Sequence, residues 1–197
     1  MRTAILARHG ESDMNAQDEL NSDAGVEVGL SPSGEEQARR LGEELAREPI
    51  DLCITSALAR TRRTAELALA GRDVPTEAWP GLNDPRYGAF EGGPFEAYRE
   101  WAWAHGSTDE PPGGGESRRA VVARYALALR RLLGREEVRV LLVIHSLPIA
   151  YVLGAVDGAA PARRMALIDY ARPFRLEAEA MEQAVARLEG WCAAPSW

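Results

Sequence analysis

Residues 138–144 constrain the fold more than any other segment, because six of their seven side chains are apolar. A continuous apolar run of this length is typical of a parallel β-strand that helices cover on both faces. Residues 3–8 and 50–54 are shorter segments of the same kind, and a further short strand is predicted near Thr76. We therefore expect a buried, mostly parallel sheet.

Helical patterns separate these strands. Ser33 is the predicted N-cap of the first long helix, which ends before Pro49. Further helices are predicted over 57–70, 97–104, 119–133 and 147–156, with a candidate late strand at 165–170 and an ambiguous segment at 178–190. Alternating strands and helices predict an α/β fold, here a three-layer α/β/α sandwich formed by a single domain over residues 1–197.

The composition excludes several classes of protein. A formal net charge of −7 argues against nucleic-acid binding, which requires excess positive charge. No segment has the apolar length of a membrane helix, and residues 1–7 lack the pattern of a signal peptide, so cytoplasmic residence is expected. Two cysteines, Cys53 and Cys192, do not form a disulfide framework, and Cys53 is expected to be a small core residue.

Charged and titratable side chains follow three of the predicted strands. His9 comes directly after the first strand with Arg8 beside it, and His145 follows strand 138–144. Arg60 lies in the first turn of the helix after strand 50–54. Each has an ordinary structural explanation when taken alone. Because ligands bind beyond the carboxyl ends of parallel strands, their joint occurrence indicates an anion site at that edge.

The sequence resembles the histidine phosphatase (phosphoglycerate mutase-like) superfamily from residue 3 to about 156. Five segments carry the resemblance in order: Arg8-His9-Gly10-Glu11-Ser12 with Asn15 beyond it, Leu30 to Ala38, Thr55 to Ala65, Leu82 to Gly92, and Gly115-Glu116-Ser117. Each segment is weakly specific, but the five together at plausible spacing are strong.

The resemblance implies a role for each matching residue. His9 would be the nucleophile that becomes phosphorylated, and Arg8, Arg60 and His145 would hold the phosphoryl oxygens, with His145 protonated when phosphate is bound. Asp84 lies where the family usually has a glutamate acid, and would protonate the leaving oxygen and then activate water. Asn15 would contact phosphate. No cofactor is implied, and no metal, since cationic side chains supply the charge stabilisation.

Some of these assignments have alternatives. Asp84 could instead form a turn before Pro85, with Glu91 or another acid as the proton donor. Asn15 could cap a turn. Among residues outside the core motifs, Ser117 is expected to be an N-cap, His105 a surface residue, and the aromatic side chains of Phe90, Tyr98, Trp101 and Trp103 either packing residues or part of the substrate entrance.

The chain departs from the family pattern in three places. Ser146 replaces the usual glycine after the second histidine, and Asp84 is one methylene shorter than glutamate. Residues 16–29 lack the usual Arg and Gln-Gly and carry four acids. We expect these acids to form an acidic rim that disfavours substrates with several negative groups.

The predicted function is metal-independent hydrolysis of a phosphomonoester, either a small molecule or a phosphoprotein, through a phosphohistidine at His9. A phosphoglycerate mutase-type isomerase is the nearest alternative; such enzymes tend to be longer than 197 residues. A non-catalytic domain that binds a phospho-ligand or a partner is the alternative of another class. The sequence predicts no nucleic-acid partner and no membrane partner, and it leaves a homodimer open.

Overall fold

A five-stranded sheet forms the centre of the computed structural model, which describes residues 1–197. Its strands, in chain order, are β1 (Thr3–Arg8), β2 (Leu52–Thr55), β3 (Thr76–Ala78), β4 (Arg139–Ile144) and β5 (Pro173–Glu177). They lie in the order β3-β2-β4-β1-β5, and every neighbouring pair is parallel except β1 with β5. The mostly parallel α/β architecture is confirmed.

Seven α-helices accompany the sheet. They are α1 (Asp13–Ala16), α2 (Pro32–Glu44), α3 (Ala59–Ala68), α4 (Phe95–Ala104), α5 (Arg118–Leu133), α6 (Ser146–Val156) and α7 (Ala178–Ala193), with short 3₁₀ turns at Pro80–Leu82 and Gly88–Phe90. None of them combines the length and the apolar character that crossing a bilayer demands.

Successive side chains of the central strands are buried on opposite faces, as the period of two requires. In β1, Ala4 and Leu6 pack with α5, α6 and α7, whereas Ile5 and Ala7 pack with α2 and α3. Cys53 lies on the α2/α3 face and is a fully buried core residue, as predicted. Helices on both faces explain why the strands are continuous apolar runs.

Two sequence-based expectations need correction. Ser31, not Ser33, is the N-cap of α2: its side chain accepts a hydrogen bond from the Gly34 N–H, and Pro32 occupies the first helical position. Residues 165–170 form no strand. The late strand is β5, and it begins with Pro173 at a sheet edge, where proline costs no ladder bond.

Candidate active site

His9 is buried at the carboxyl end of β1, with only 2% of its surface exposed. Its Nδ1 lies 2.7 Å from the Gly10 carbonyl oxygen. That oxygen can only accept, so Nδ1 carries the proton and Nε2 has a free lone pair. Burial, together with the nearby positive charges of Arg60 and Arg8, lowers the pKa of His9 well below its usual value. The imidazole is therefore neutral at pH 7 and chemically a nucleophile.

Arg60 links the site residues from the first turn of α3. Its Nε donates to His9 Nε2 at 3.1 Å, and its Nη2 donates to Asp84 Oδ2 at 2.7 Å. Both terminal nitrogens also donate to Asn21, at 3.1 Å to Oδ1 and 3.0 Å to the carbonyl oxygen. The guanidinium is almost fully buried, so its charge acts at low dielectric.

The second histidine lies beside the first because β1 and β4 are neighbours in the sheet. The His9 N–H donates to the Ile144 carbonyl oxygen at 2.9 Å, and the two imidazole rings are 5.1 Å apart. His145 Nε2 is 2.9 Å from Ser56 Oγ, and Nδ1 is 3.2 Å from Asp84 Oδ2. Burial lowers the pKa of His145, although Asp84 acts to raise it. In the free protein this histidine is neutral, so protonation by a bound phosphate remains a prediction.

Asp84 completes the group, with its side chain 15% exposed. Burial acts to raise the pKa of this carboxyl, but His145 and Arg60 outweigh that effect and hold the pKa well below its usual range. The carboxylate is thus ionised in the free protein. An acid role requires a ligand that withdraws Arg60 and His145 from it.

A buried ion pair anchors the loop that carries Asp84. Arg124 in α5 contacts both carboxylate oxygens of Glu116, at 3.0 and 2.9 Å. The same guanidinium donates to the carbonyl oxygens of Asn83, at 2.9 Å, and Asp84, at 3.3 Å. Asn83 Oδ1 accepts from the Ala57 N–H at 2.8 Å. These contacts fix the approach of Asp84 to Arg60.

Glu91, the alternative acid, does not line the cavity. Its carboxylate accepts hydrogen bonds from the backbone N–H groups of Ser22 and Tyr87, at 3.0 and 3.1 Å, and from the Ser22 hydroxyl. The side chain therefore stabilises the loops around the site. Of these two acids, Asp84 is the one beside both histidines.

Asn15 has the capping role that the sequence offered, and it also lies at the cavity. Its Oδ1 accepts from the Ser12 N–H at 3.3 Å while Ser12 Oγ accepts from the Asn15 N–H at 3.2 Å, which is a capping box for α1. Asn15 also lines the cavity, and its Nδ2 makes no hydrogen bond in the structure. The amide is positioned to donate to a ligand.

Arg8 is held by the segment between α6 and β5. Its Nη1 donates to the Ile168 carbonyl oxygen at 2.7 Å, and its guanidinium carbon lies 3.7 Å from the centre of the Tyr170 ring. Its Nε is buried without a hydrogen-bond partner. A buried cation with an unused donor next to His9 is suited to a phosphoryl oxygen.

These residues line one cavity of about 450 Å³, which lies within the range of about 300–1,000 Å³ typical of small-molecule sites. Of the four acids in residues 16–29, Asp18 and Glu19 line it, but Asp23 and Glu27 do not. The expected acidic rim is therefore present only in part, and five arginines line the cavity as well. Tyr98 and Trp103 form part of the wall, whereas Phe90 and Trp101 pack around Tyr98. His105 stacks on Trp101 outside the cavity, and Ser117 caps α5.

His9, Asp84 and His145 place three ligand atoms within 4.8 Å of one another, close enough to hold a metal ion. The Arg60 guanidinium already occupies their centre, bonded to His9 Nε2 and Asp84 Oδ2. A divalent cation would have to displace a buried positive charge or lie against it, and like charges repel strongly at low dielectric. The arrangement is suited to an anion.

Sequence reasoning missed several residues that support the site. Ser56 contacts His145, Asn21 contacts Arg60, and Thr64 accepts from the Gly10 N–H at 3.0 Å. Tyr170 covers Arg8 from a segment predicted as a strand. Ser56 and Thr64 lie inside a motif that the sequence identified. Asn21 and Tyr170 lie outside the motifs, so only the folded chain identifies them.

The chain is similar to several known proteins. A 2,3-bisphosphoglycerate-dependent phosphoglycerate mutase from Methylobacterium sp. (strain 4-46) is 34% identical over 172 residues, which is 80% of this chain and 81% of that protein. A second such mutase, from Thermobifida fusca (strain YX), is 45% identical over 97 residues, 47% of this chain and 38% of that protein. The solved structure of an α-ribazole phosphatase from Shigella flexneri has a TM-score of 0.76 and 26% identity, covering 88% of this chain and 89% of that one.

The family model for the histidine phosphatase superfamily, branch 1, matches residues 4–190. This range includes the whole sheet except Thr3, and all six predicted site residues, which are Arg8, His9, Asn15, Arg60, Asp84 and His145. The chain therefore belongs to the histidine phosphatase superfamily.

Proposed function

We propose that this protein hydrolyses phosphomonoesters through a phosphohistidine at His9, without a metal ion. The observation that carries the proposal is the state of His9: a buried, neutral imidazole whose Nδ1 is fixed as a donor and whose Nε2 lone pair lies beside Arg60 and Asp84. Binding alone would not require a nucleophile with this tautomer and this depressed pKa.

In the first step the substrate's phosphoryl oxygens bind Arg8, Arg60 and His145. Arg60 then releases Nε2 of His9, which attacks phosphorus while the bond from phosphorus to the leaving oxygen breaks. Because the bound anion draws Arg60 and His145 away from Asp84, the pKa of Asp84 rises, and the carboxylate takes up the proton that a monoanionic phosphomonoester brings with it. Asp84 gives this proton to the leaving oxygen.

In the second step a water molecule attacks the phosphohistidine. Asp84, now a carboxylate, accepts a proton from this water, and the bond between phosphorus and His9 Nε2 breaks. Inorganic phosphate leaves, and His9 returns to its neutral form. The positive charges of Arg8 and Arg60 stabilise the phosphoryl oxygens throughout, which is the task that magnesium performs in many phosphoryl-transfer enzymes.

Phosphate release from phenyl phosphate in the presence of EDTA tests the proposal. We expect steady hydrolysis by the wild type, no hydrolysis by His9→Ala, and an acid-labile phosphoryl adduct on the wild type after rapid quenching. Full activity of His9→Ala, or strict dependence on an added divalent ion, would refute the mechanism. Asp13→Asn, at an exposed residue of α1 that does not line the cavity, is a control for the effects of mutagenesis.

Isomerisation of a phosphoglycerate is the second candidate, and the identity to the Methylobacterium mutase over 80% of this chain favours it. Both reactions share the phosphohistidine and differ in what accepts the phosphoryl group. Incubation with 3-phosphoglycerate separates them, because a phosphatase releases inorganic phosphate and a mutase forms 2-phosphoglycerate. Phosphate release as the main product supports hydrolysis.

A further inference from the structure

The cavity around His9 has the opposite charge to the chain as a whole. The formal net charge of the protein is −7, yet five arginines and only three carboxylates line this cavity. The arginines are Arg8, Arg60, Arg99, Arg118 and Arg163. Without a ligand, the lining side chains therefore carry two more positive than negative formal charges.

Most of these arginines already have partners in the protein. Arg60 is paired with Asp84, and Arg8 is held by Ile168 and Tyr170. Arg99 forms an ion pair at 3.0 Å with Glu96, and Arg163 donates to the Trp103 carbonyl oxygen at 2.9 Å.

Arg118, the first residue of α5, forms no ion pair and, unlike Arg8 and Arg163, donates to no backbone carbonyl oxygen. Its one hydrogen bond runs from Nη1 to the hydroxyl of Tyr151, at 3.1 Å. Tyr151 is 1% exposed and belongs to the core, so this bond fixes the direction of the guanidinium. The ring of Tyr98, another wall residue, lies 5.7 Å from its central carbon.

The opposite edge of the same guanidinium is unused. Nε is buried without a hydrogen-bond partner, and Nη2 makes no hydrogen bond. A buried donor without a partner costs free energy, and the Nε–Nη2 edge matches the two oxygens of a carboxylate or phosphate. An oxyanion bound along this edge would satisfy both donors and balance the charge.

We propose that Arg118 binds a second oxyanion on the substrate, so that the preferred substrates are phosphomonoesters carrying a carboxylate or another phosphate. This specificity role rests on the proposed function, because it assumes that the phosphoryl group occupies the His9 end of the cavity. Arg118 contacts the part of the substrate that does not react, and the preference arises from binding.

A series of para-substituted phenyl phosphates tests this role. The substituents are a carboxylate, a neutral carboxamide of the same shape, and a second phosphate, and the readout is kcat/KM for phosphate release. In the wild type we expect the two anionic substrates to be preferred over the carboxamide. In Arg118→Gln the ratio of carboxylate to carboxamide should fall about 10-fold or more, mainly through KM, because a charge-assisted bidentate contact is lost.

Arg119→Gln is the matched control, since Arg119 neighbours Arg118 but is exposed and donates to the Cys192 carbonyl oxygen. Arg119→Gln should keep the wild-type ratio of carboxylate to carboxamide kcat/KM. Arg118→Lys keeps the positive charge but lacks the two parallel N–H donors of a guanidinium, so it should give an intermediate ratio. Of the carboxylate and the second phosphate, the one that gives the higher wild-type kcat/KM is the oxyanion that Arg118 prefers. An unchanged ratio in Arg118→Gln, or a wild type that does not discriminate, would overturn the proposal.

Calorimetric binding of the carboxylate and carboxamide compounds to His9→Ala separates this proposal from the proposed function. If neither the wild type nor any variant releases phosphate, hydrolysis is refuted, and the calorimetric binding measurements alone decide the role of Arg118. Tighter binding of the carboxylate that disappears in His9→Ala/Arg118→Gln supports it, and equal binding of both compounds contradicts it. Should Arg118→Gln not fold, Arg118→Lys replaces it, with a smaller expected fall in the ratio; an unchanged ratio would still contradict the proposal.

Discussion

Replacing Asp84 by Asn tests whether this residue donates a proton to the leaving oxygen. The amide keeps the shape of the side chain but can neither release nor accept a proton at neutral pH. Asp84 Oδ2 lies 2.7 Å from Arg60 and 3.2 Å from His145, so the substitution also removes one charge from a buried cluster. Loss of that charge-assisted contact should lower the free energy of unfolding by about 1.5–3 kcal/mol.

The kinetic effect depends on the leaving group. General acid catalysis contributes about 10²–10⁴-fold, which corresponds to roughly 2.7–5.4 kcal/mol of activation free energy. An alkoxide needs the proton, so the Asp84→Asn variant should transfer phosphoryl groups from 2-hydroxyethyl phosphate about 10²–10⁴ times more slowly. Nitrophenolate leaves without a proton, so the loss with 4-nitrophenyl phosphate should be less than about 10-fold.

The assay must isolate the first step, because Asp84 is also proposed to activate water in the second. Rapid quenching during the first turnover measures formation of the phosphohistidine, and its accumulation in Asp84→Asn would report the slower hydrolysis. Asp18→Asn removes a carboxylate that also lines the cavity but bonds to neither histidine. Its effect should be the same for both substrates. Equal losses in the first turnover of Asp84→Asn on the two leaving groups would refute the acid role.

Three further perturbations test the site and its support. Folding lowers the pKa of both site histidines, so the unfolded chain binds more protons than the folded chain below about pH 6.5. The free energy of unfolding should therefore fall with pH in that range, by up to about 1.4 kcal/mol per pH unit per histidine. Urea unfolding between pH 7.5 and 5.5 measures this slope, which should be shallower in His9→Gln. Glu116→Gln breaks the ion pair with Arg124 and should cost about 1–3 kcal/mol in urea unfolding and lower kcat, so an unchanged kcat would contradict the anchoring role. Gly34→Ala places a Cβ 1.9 Å from a backbone oxygen and should lower the free energy of unfolding by about 1–3 kcal/mol or more. Gly190→Ala has open space around the added Cβ and should not destabilise the protein, and melting curves of the two variants test the difference.

The sheet and the positions of the two site histidines were predictable because each depends on local sequence. Apolar runs covered on both faces identify β1, β2 and β4, and neighbouring parallel strands bring their carboxyl ends together. His9 and His145 follow such strands directly, so their proximity followed from topology. Asp84 was less certain, since its position depends on a long loop that contacts from Arg124 and Asn83 fix in place.

The N-cap of α2 and the late strand were mispredicted because the local pattern admitted more than one solution. Ser31 and Ser33 are both good caps, and Pro32 decides between them since proline is favoured at the first helical position. Residues 165–170 have the composition of a strand but meet β1 only through a bridge between Arg8 and Tyr170. The segment is held by the Arg8 side chain, which donates to the Ile168 carbonyl oxygen and contacts the Tyr170 ring, and not by the ladder of backbone hydrogen bonds that a strand would form.

The charge of the site could not be obtained from the sequence, because it depends on which side chains share a cavity. Residues 16–29 are acidic along the chain, yet Asp23 and Glu27 lie away from the cavity while Arg118, about a hundred residues later, lines it. An anionic substrate therefore meets a local excess of arginine inside a protein of net negative charge. The net charge of the protein repels anions at long range, whereas the arginines of the cavity attract them at short range. The affinity for an anionic substrate should therefore depend on the short-range contacts, which salt screens far less than long-range interactions. Raising ionic strength should therefore change KM much less than replacing Arg118 does.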